Sequence, residues 1–194
     1  MSPPVSRVDP GSFELLYRDS PDPWGFATSW YEQRKYQLTL KMLPSSSYRR
    51  CFEPAAANGD LSALLAERCE HLVTIEGSQT AATFARERFR SAPNVDVRWG
   101  IIPDDWPEDT FDLIVLSELG YYFDHSTLLE IATRCDQSLR FGNCLMAVHW
   151  LGHSDDHLLH GDEVHRVLES VFGIPTGSYR EHSFRIEYWQ RSEQ

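Results

Sequence analysis

The sequence predicts a doubly wound α/β fold, one largely parallel sheet with helices on both faces. Strand-like and helix-like segments alternate from Arg49 onward, and the run Phe111–Leu116 (F-D-L-I-V-L) is almost continuously apolar. Strands separated by helices of about 10–15 residues imply βαβ units. A nearly unbroken apolar strand is expected where both faces of a sheet are covered. The 194 residues, 41% hydrophobic and 24% charged, suit one domain with one sizeable core.

The elements follow in order. Residues 1–10 hold three prolines and are read as a frayed tail. Gly11–Arg18 is a short helix, stopped by the turn-rich Asp19–Gly25. Ser29, three residues before Glu32, starts a second helix that runs to Pro44. Next come a strand at Cys51–Pro54, a helix at Gly59–Arg68 and a strand at His71–Glu76. Ser78 caps a helix carrying Ala82, Ala85 and Phe89, and Val95–Trp99 is a strand. Beyond Phe111–Leu116, a helix follows Asp124 through Leu139 and is closed by Gly142. Cys144–Trp150 is a strand and Glu163–Phe172 a helix. Ser178–Arg180 and Phe184–Gln190 have no helix between them, so they are expected to be antiparallel. The sum is a seven-stranded, Rossmann-like mixed sheet with the last strand antiparallel. Residues 1–44 form an N-terminal helical extension on a core of residues 45–194.

The formal net charge of −11 argues against a dedicated nucleic-acid or anionic-membrane binder. No leader is visible, and no apolar run approaches the roughly 20 residues of a bilayer span, so the cytoplasm is the expected location. Cys51, Cys69, Cys135 and Cys144 show no C-x-x-C spacing and are read as buried thiols. Oligomeric state is not legible.

In such a sheet, ligands bind outside the carboxyl ends of the strands at the switch point. The first such end, Glu53-Pro54-Ala55-Ala56-Ala57-Asn58-Gly59, is a loop of small residues that lets backbone amides approach a ligand. Glu76, ending the next strand, is placed to accept both hydroxyls of a ribose. Neither a G-x-G-x-x-G nor a Walker-type loop is present, which favours S-adenosylmethionine over a dinucleotide or ATP.

These residues resemble the class I S-adenosylmethionine-dependent methyltransferases. Asp22-Pro23-Trp24-Gly25, Thr28–Tyr36 (T-S-W-Y-E-Q-R-K-Y), Phe111–Glu118 with Gly120-Tyr121-Tyr122, and His149-Trp150 followed by Gly161–His165 narrow this further. They are similar to the nodulation protein S group of N-methyltransferases, whose namesake methylates the free amine of a chito-oligosaccharide. The resemblance implies S-adenosyl-L-methionine as cofactor and a small amine or oligosaccharide as acceptor. It implies cofactor contacts from Trp24, Tyr31, Arg34, Glu53, Ala55, Ala57, Gly59, Glu76, Gly77, Gly100, Ile101 and Ser117. The N-terminal helices form a lid in which Arg34 or Lys35 meets the cofactor's carboxylate. Ala55 stands where the family pattern has glycine, which costs little while φ stays negative.

An amine must lose a proton around methyl transfer. Glu118 and His149 are the candidate bases, and Tyr121 and Tyr122 the candidate cage for the amine. Two other classes stay open. Five histidines at 149, 153, 157, 160 and 165 suggest a metal-dependent hydrolase, although no metal site is assigned because Gly152 and Ser154–Asp156 make the stretch loop-like. Ala55 suggests a non-catalytic methyltransferase-like binding module.

Overall fold

A computed structural model describes residues 5–191. Helix α1 (Pro10–Asp19) carries proline in its first turn, where no N–H is needed, and the Asp9 carboxylate accepts from the Gly11 amide. In α2 (Trp30–Met42), the Ser29 hydroxyl caps the Glu32 amide. Then follow β1 (Tyr48–Pro54), α3 (Asp60–Ala66), β2 (Cys69–Glu76), α4 (Gln79–Arg88, capped by Ser78), β3 (Val95–Trp99) and β4 (Phe111–Ser117). A 3-10 turn at Gly120–Tyr122 precedes α5 (His125–Ser138, capped by Asp124), β5 (Leu139–Trp150), α6 (Gly161–Phe172), β6 (Gly177–Arg180) and β7 (Phe184–Gln190).

The seven strands lie in the order β3-β2-β1-β4-β5-β7-β6. β1 to β5 are mutually parallel, and β7 runs antiparallel to both β5 and β6. The order reverses between β1 and β4, and their connections diverge there to leave a crevice. Alternation along β4 explains its apolar run. Leu113 and Val115 pack on one face with Tyr36, Leu40 and Leu65, while Ile114 and Leu116 pack on the other with Leu128, Ile131 and Val164. All four β4 side chains are essentially fully buried, each contributing about 1.5–3 kcal/mol.

Three expectations are corrected. Gly142 does not close α5: the helix ends at Ser138 and β5 starts at once. Gly142, at φ +79°, lies inside β5, where the β4–β5 register shifts between Phe111 and Leu113. Met1–Pro4 lie outside the described residues, but Val5–Asp9 are not a frayed tail. The Val8 amide donates to the Tyr122 carbonyl (2.8 Å), the Asp124 amide to the Ser6 carbonyl (2.9 Å), and Arg7 pairs with Asp104 (2.7 Å). Lastly, Cys51 and Cys69 form a disulfide between the neighbouring strands β1 and β2, with Cα atoms 6.2 Å apart; only Cys135 and Cys144 are free thiols. Strand pairing, not sequence spacing, brings that pair together.

Candidate functional site

A cavity of about 460 Å³ occupies the crevice at the carboxyl ends of β1, β2, β4 and β5. Its floor is the Glu53–Asn58 loop. Its roof is the N-terminal segment, with Phe13 and Tyr17 of α1, Trp24 and Phe26 of the following turn, and Tyr31 and Lys35 of α2. Trp24 stacks on Phe26 and meets Tyr17 edge-on.

The floor loop is drawn tight by Glu76. One carboxylate oxygen accepts from the Ala57 amide and the other from the Ser78 amide, both at 2.8 Å. Burial nevertheless pushes its pKa up to about 7. Glu53, fully buried, accepts from the Ser62 hydroxyl, and burial raises it to about 8. Ala55 and Ala57 hold left-handed backbones, φ +73° and +52°. The condition under which alanine costs little at position 55, a negative φ, is therefore not met, yet both residues line an open crevice instead of plugging it. Gly59, at φ +86°, is not part of the lining. An added Cβ would lie 2.7 Å from the Phe89 ring, so its glycine serves the start of α3 and the packing of α4. Gly77, Gly100, Ile101 and Ser117 all line the crevice. The Ile101 amide is held by the Asp105 carboxylate at 2.7 Å.

At the β4 end stands Glu118, itself at φ +54°. It accepts from Lys35 Nζ (2.6 Å), the Trp150 amide (3.0 Å) and the Tyr121 hydroxyl. Lys35 Nζ also lies 2.8 Å from the Glu32 carboxylate and 5.1 Å from the centre of the Tyr31 ring. Burial pulls the Lys35 pKa down, but Glu118 and Glu32 overcome it and hold the ammonium above the usual lysine range. Tyr122 packs edge-on against Phe13 and Tyr121 along the same wall.

Besides Gly59, two more predicted residues lie outside the crevice. Arg34 forms a two-pronged ion pair with Glu181 and also reaches the Tyr179 hydroxyl, outside the crevice. Successive residues on a helix face different directions, so only one of Arg34 and Lys35 can point inward. His149 is sealed beneath the crevice. Its Nε2 accepts from the Gly120 amide (3.1 Å), its Nδ1 meets His165 Nε2 (3.2 Å), and His165 Nδ1 meets the Glu187 carboxylate (2.7 Å). Side chains alternate along β5, so Trp150 faces the crevice and His149 does not. Burial holds the His149 pKa well below its ordinary value, and no substrate proton can reach it.

The remaining histidines have separate tasks. His160 caps α6, His153 is exposed, and His157 stacks on Tyr121 inside the crevice. Among the described residues, no three His, Cys, Asp or Glu side chains converge as metal ligands. Sequence reasoning missed His157 and Glu32 as lining residues. His157 is placed by loop contacts, the Leu158 amide donating to the Tyr121 carbonyl at 2.8 Å, which leave no periodic signal.

The sequence profile of nodulation protein S matches residues 10–161. The chain belongs to the nodulation protein S family. Two nodulation protein S relatives illustrate the distance. That of Sinorhizobium fredii is 24% identical over 124 residues, covering 62% of this chain and 57% of the relative. That of Bradyrhizobium diazoefficiens is 29% identical over 132 residues, covering 63% and 62%. The alignments thus span about half to three fifths of these relatives' length. Among solved structures, a candidate methyltransferase from Pseudomonas syringae shares 38% identity at a TM-score of 0.76, covering 84% of this chain and 100% of its own. The N-methyltransferase NodS of Bradyrhizobium japonicum WM9, solved with S-adenosyl-L-homocysteine, has a TM-score of 0.80 at 19% identity, covering 94% and 98%. The fold likeness to that structure therefore extends over nearly the whole of both chains.

Proposed function

We propose that this protein is an S-adenosylmethionine-dependent N-methyltransferase acting on a small amine, with an amino sugar or chito-oligosaccharide-like acceptor as the leading candidate. The observation that carries the reading is the cradle formed by the left-handed Ala55–Ala57 loop and the Glu76 carboxylate, facing the Glu118–Lys35 pair across one roofed crevice. The cradle fits an adenosyl group. Glu76 keeps lone pairs for ribose hydroxyls, and Gly77, Gly100 and Ile101 leave a flat apolar slot for a base. The cofactor, when bound, supplies a sulfonium methyl.

The chain's own residues position the reactants, exclude water and manage charge. Trp24, Phe26 and Tyr31 cover the crevice, and the described part of the N-terminal extension, residues 5–44, serves as its lid over the core that begins at residue 45. Lys35 and its two carboxylates carry a net negative charge, which favours a cationic or polar amine at the β4 end. Tyr121, Tyr122 and Trp150 offer aromatic faces there for a sugar ring or an alkylammonium. No helix among the described residues is long and apolar enough to cross a membrane. We assign the protein to the cytoplasm, with neither nucleic acid nor membrane as partner.

Calorimetric titration with S-adenosylhomocysteine tests the reading, with micromolar affinity expected. No binding at millimolar concentration overturns it. Methyl transfer to any amine separates an enzyme from a non-catalytic module.

A further inference from the structure

A base for the acceptor nitrogen must line the crevice at its β4–β5 end, be unprotonated near pH 7 and keep a nitrogen or oxygen uncommitted. Glu118 lines it, but its carboxylate already serves Lys35, Tyr121 and the Trp150 amide. His149 is sealed off by Gly120 and His165. Burial drives the Tyr121 and Tyr122 hydroxyls above the ordinary phenol range, so they keep their protons. Glu53 and Glu76 belong to the β1 and β2 ends, at the nucleoside side.

His157 meets each condition. Its ring lies face to face with Tyr121, 3.8 Å between centroids at 15°, and edge-on to Tyr122 and Trp150 at 5.1 and 5.9 Å. Three aromatic contacts fix the plane of the imidazole, and the side chain is only 9% exposed. The carboxylate oxygen nearest its Nε2 is that of Asp156 at 4.0 Å, beyond hydrogen-bond reach. Charged groups face it on both sides: Asp156 and Glu118 favour its protonation, while His153 and His160 oppose it. Burial is the largest influence and keeps the ring neutral below its ordinary range.

We propose that His157 is the catalytic base that takes the proton from the acceptor nitrogen. The inference rests on the methyltransferase reading above. The nitrogen lone pair forms the N–CH3 bond as the S–CH3 bond breaks, and that bonding pair stays on sulfur. The proton shed by nitrogen passes to an imidazole nitrogen of His157 and from there to water at the crevice mouth. Glu118 and Tyr121 act beside it, Glu118 holding charge toward the amine and Tyr121 supporting the ring.

The test compares wild type with His157→Phe, which keeps the stack, and His157→Gln, which keeps a polar group. Both variants are expected to bind S-adenosylhomocysteine within about twofold of wild type. Methylation of glucosamine is expected to lose about 100-fold in kcat with little change in KM, together with the acid limb of its pH profile. Independently of turnover, the His157 imidazole 15N resonances of the wild-type S-adenosylhomocysteine complex are expected to move when glucosamine is added. Wild-type kcat and acid limb in His157→Phe, or imidazole resonances indifferent to glucosamine, overturn the assignment. Failure of wild type to bind S-adenosylhomocysteine overturns the methyltransferase reading instead.

Discussion

Ala55 and Ala57 hold a conformation that alanine disfavours by roughly 1–2 kcal/mol, because in the left-handed region Cβ crowds the following carbonyl. The loop keeps it because the Ile75 carbonyl takes the Ala55 amide at 2.7 Å and the Glu76 carboxylate takes that of Ala57. Ala55→Gly relieves the strain but gives the unfolded chain more freedom, about 0.4–1 kcal/mol in the opposite sense. A net gain of about 0.5–1 kcal/mol is expected from denaturant melts, with tighter binding of S-adenosylhomocysteine once the methyl is gone. A destabilised Ala55→Gly variant would contradict the strained-loop account. His149 teaches a different lesson at this scale. A histidine at a strand end reads as a base until its neighbours are known, and here both ring nitrogens belong to the scaffold.

Among the elements, α1 is the least expected contributor. Its Glu14 accepts from the Thr80 amide (3.0 Å), the Thr80 hydroxyl (2.7 Å) and the Ser78 hydroxyl (2.8 Å), so the roof is tied to the first turn of α4 beside Glu76. The Thr80 and Ser78 donors, at the positive end of a helix dipole, hold the Glu14 pKa down at about 2. The latch is therefore ionised at every physiological pH. Glu14→Ala is expected to release S-adenosylhomocysteine several-fold faster in stopped-flow dissociation while leaving the melting temperature nearly unchanged. An unaltered off-rate would show that α1 does not govern access. The α5–β5 join shows the reverse case, a connection that sequence reasoning drew too long. Helix passes to strand at Leu139 without a loop, and the glycine that looked like a helix stop accommodates a shift in strand register.

Across the whole molecule, four buried ionisable groups pull stability in opposite directions with pH. His149 and His165 are buried with depressed pKa values; unfolded, they bind protons near pH 6.5, so their burial costs stability as pH falls below that. Glu53 and Glu76 are raised to about 8 and about 7. The stability they contribute is complete below the ordinary carboxylate range and is lost as pH rises through 7–8. The free protein is thus expected to melt highest near pH 5–6, where the two opposing slopes balance, and Glu76→Gln to flatten the decline above it; a pH-independent melt between 5 and 9 would refute this. What the sequence by itself determined was the existence and order of every strand and α-helix, the position of the crevice and the Glu53, Glu76 and Glu118 framework, because side-chain periodicity and turn chemistry are local and the strand ends follow from them. Tertiary structure alone decided the Cys51–Cys69 bridge, the choice of Lys35 over Arg34, and the exchange of His149 for His157 at the crevice wall. Each depends on partners brought together by the fold: Lys35 meets Glu118 across 83 positions and Arg34 meets Glu181 across 147, separations over which no local pattern records which side chain will be waiting.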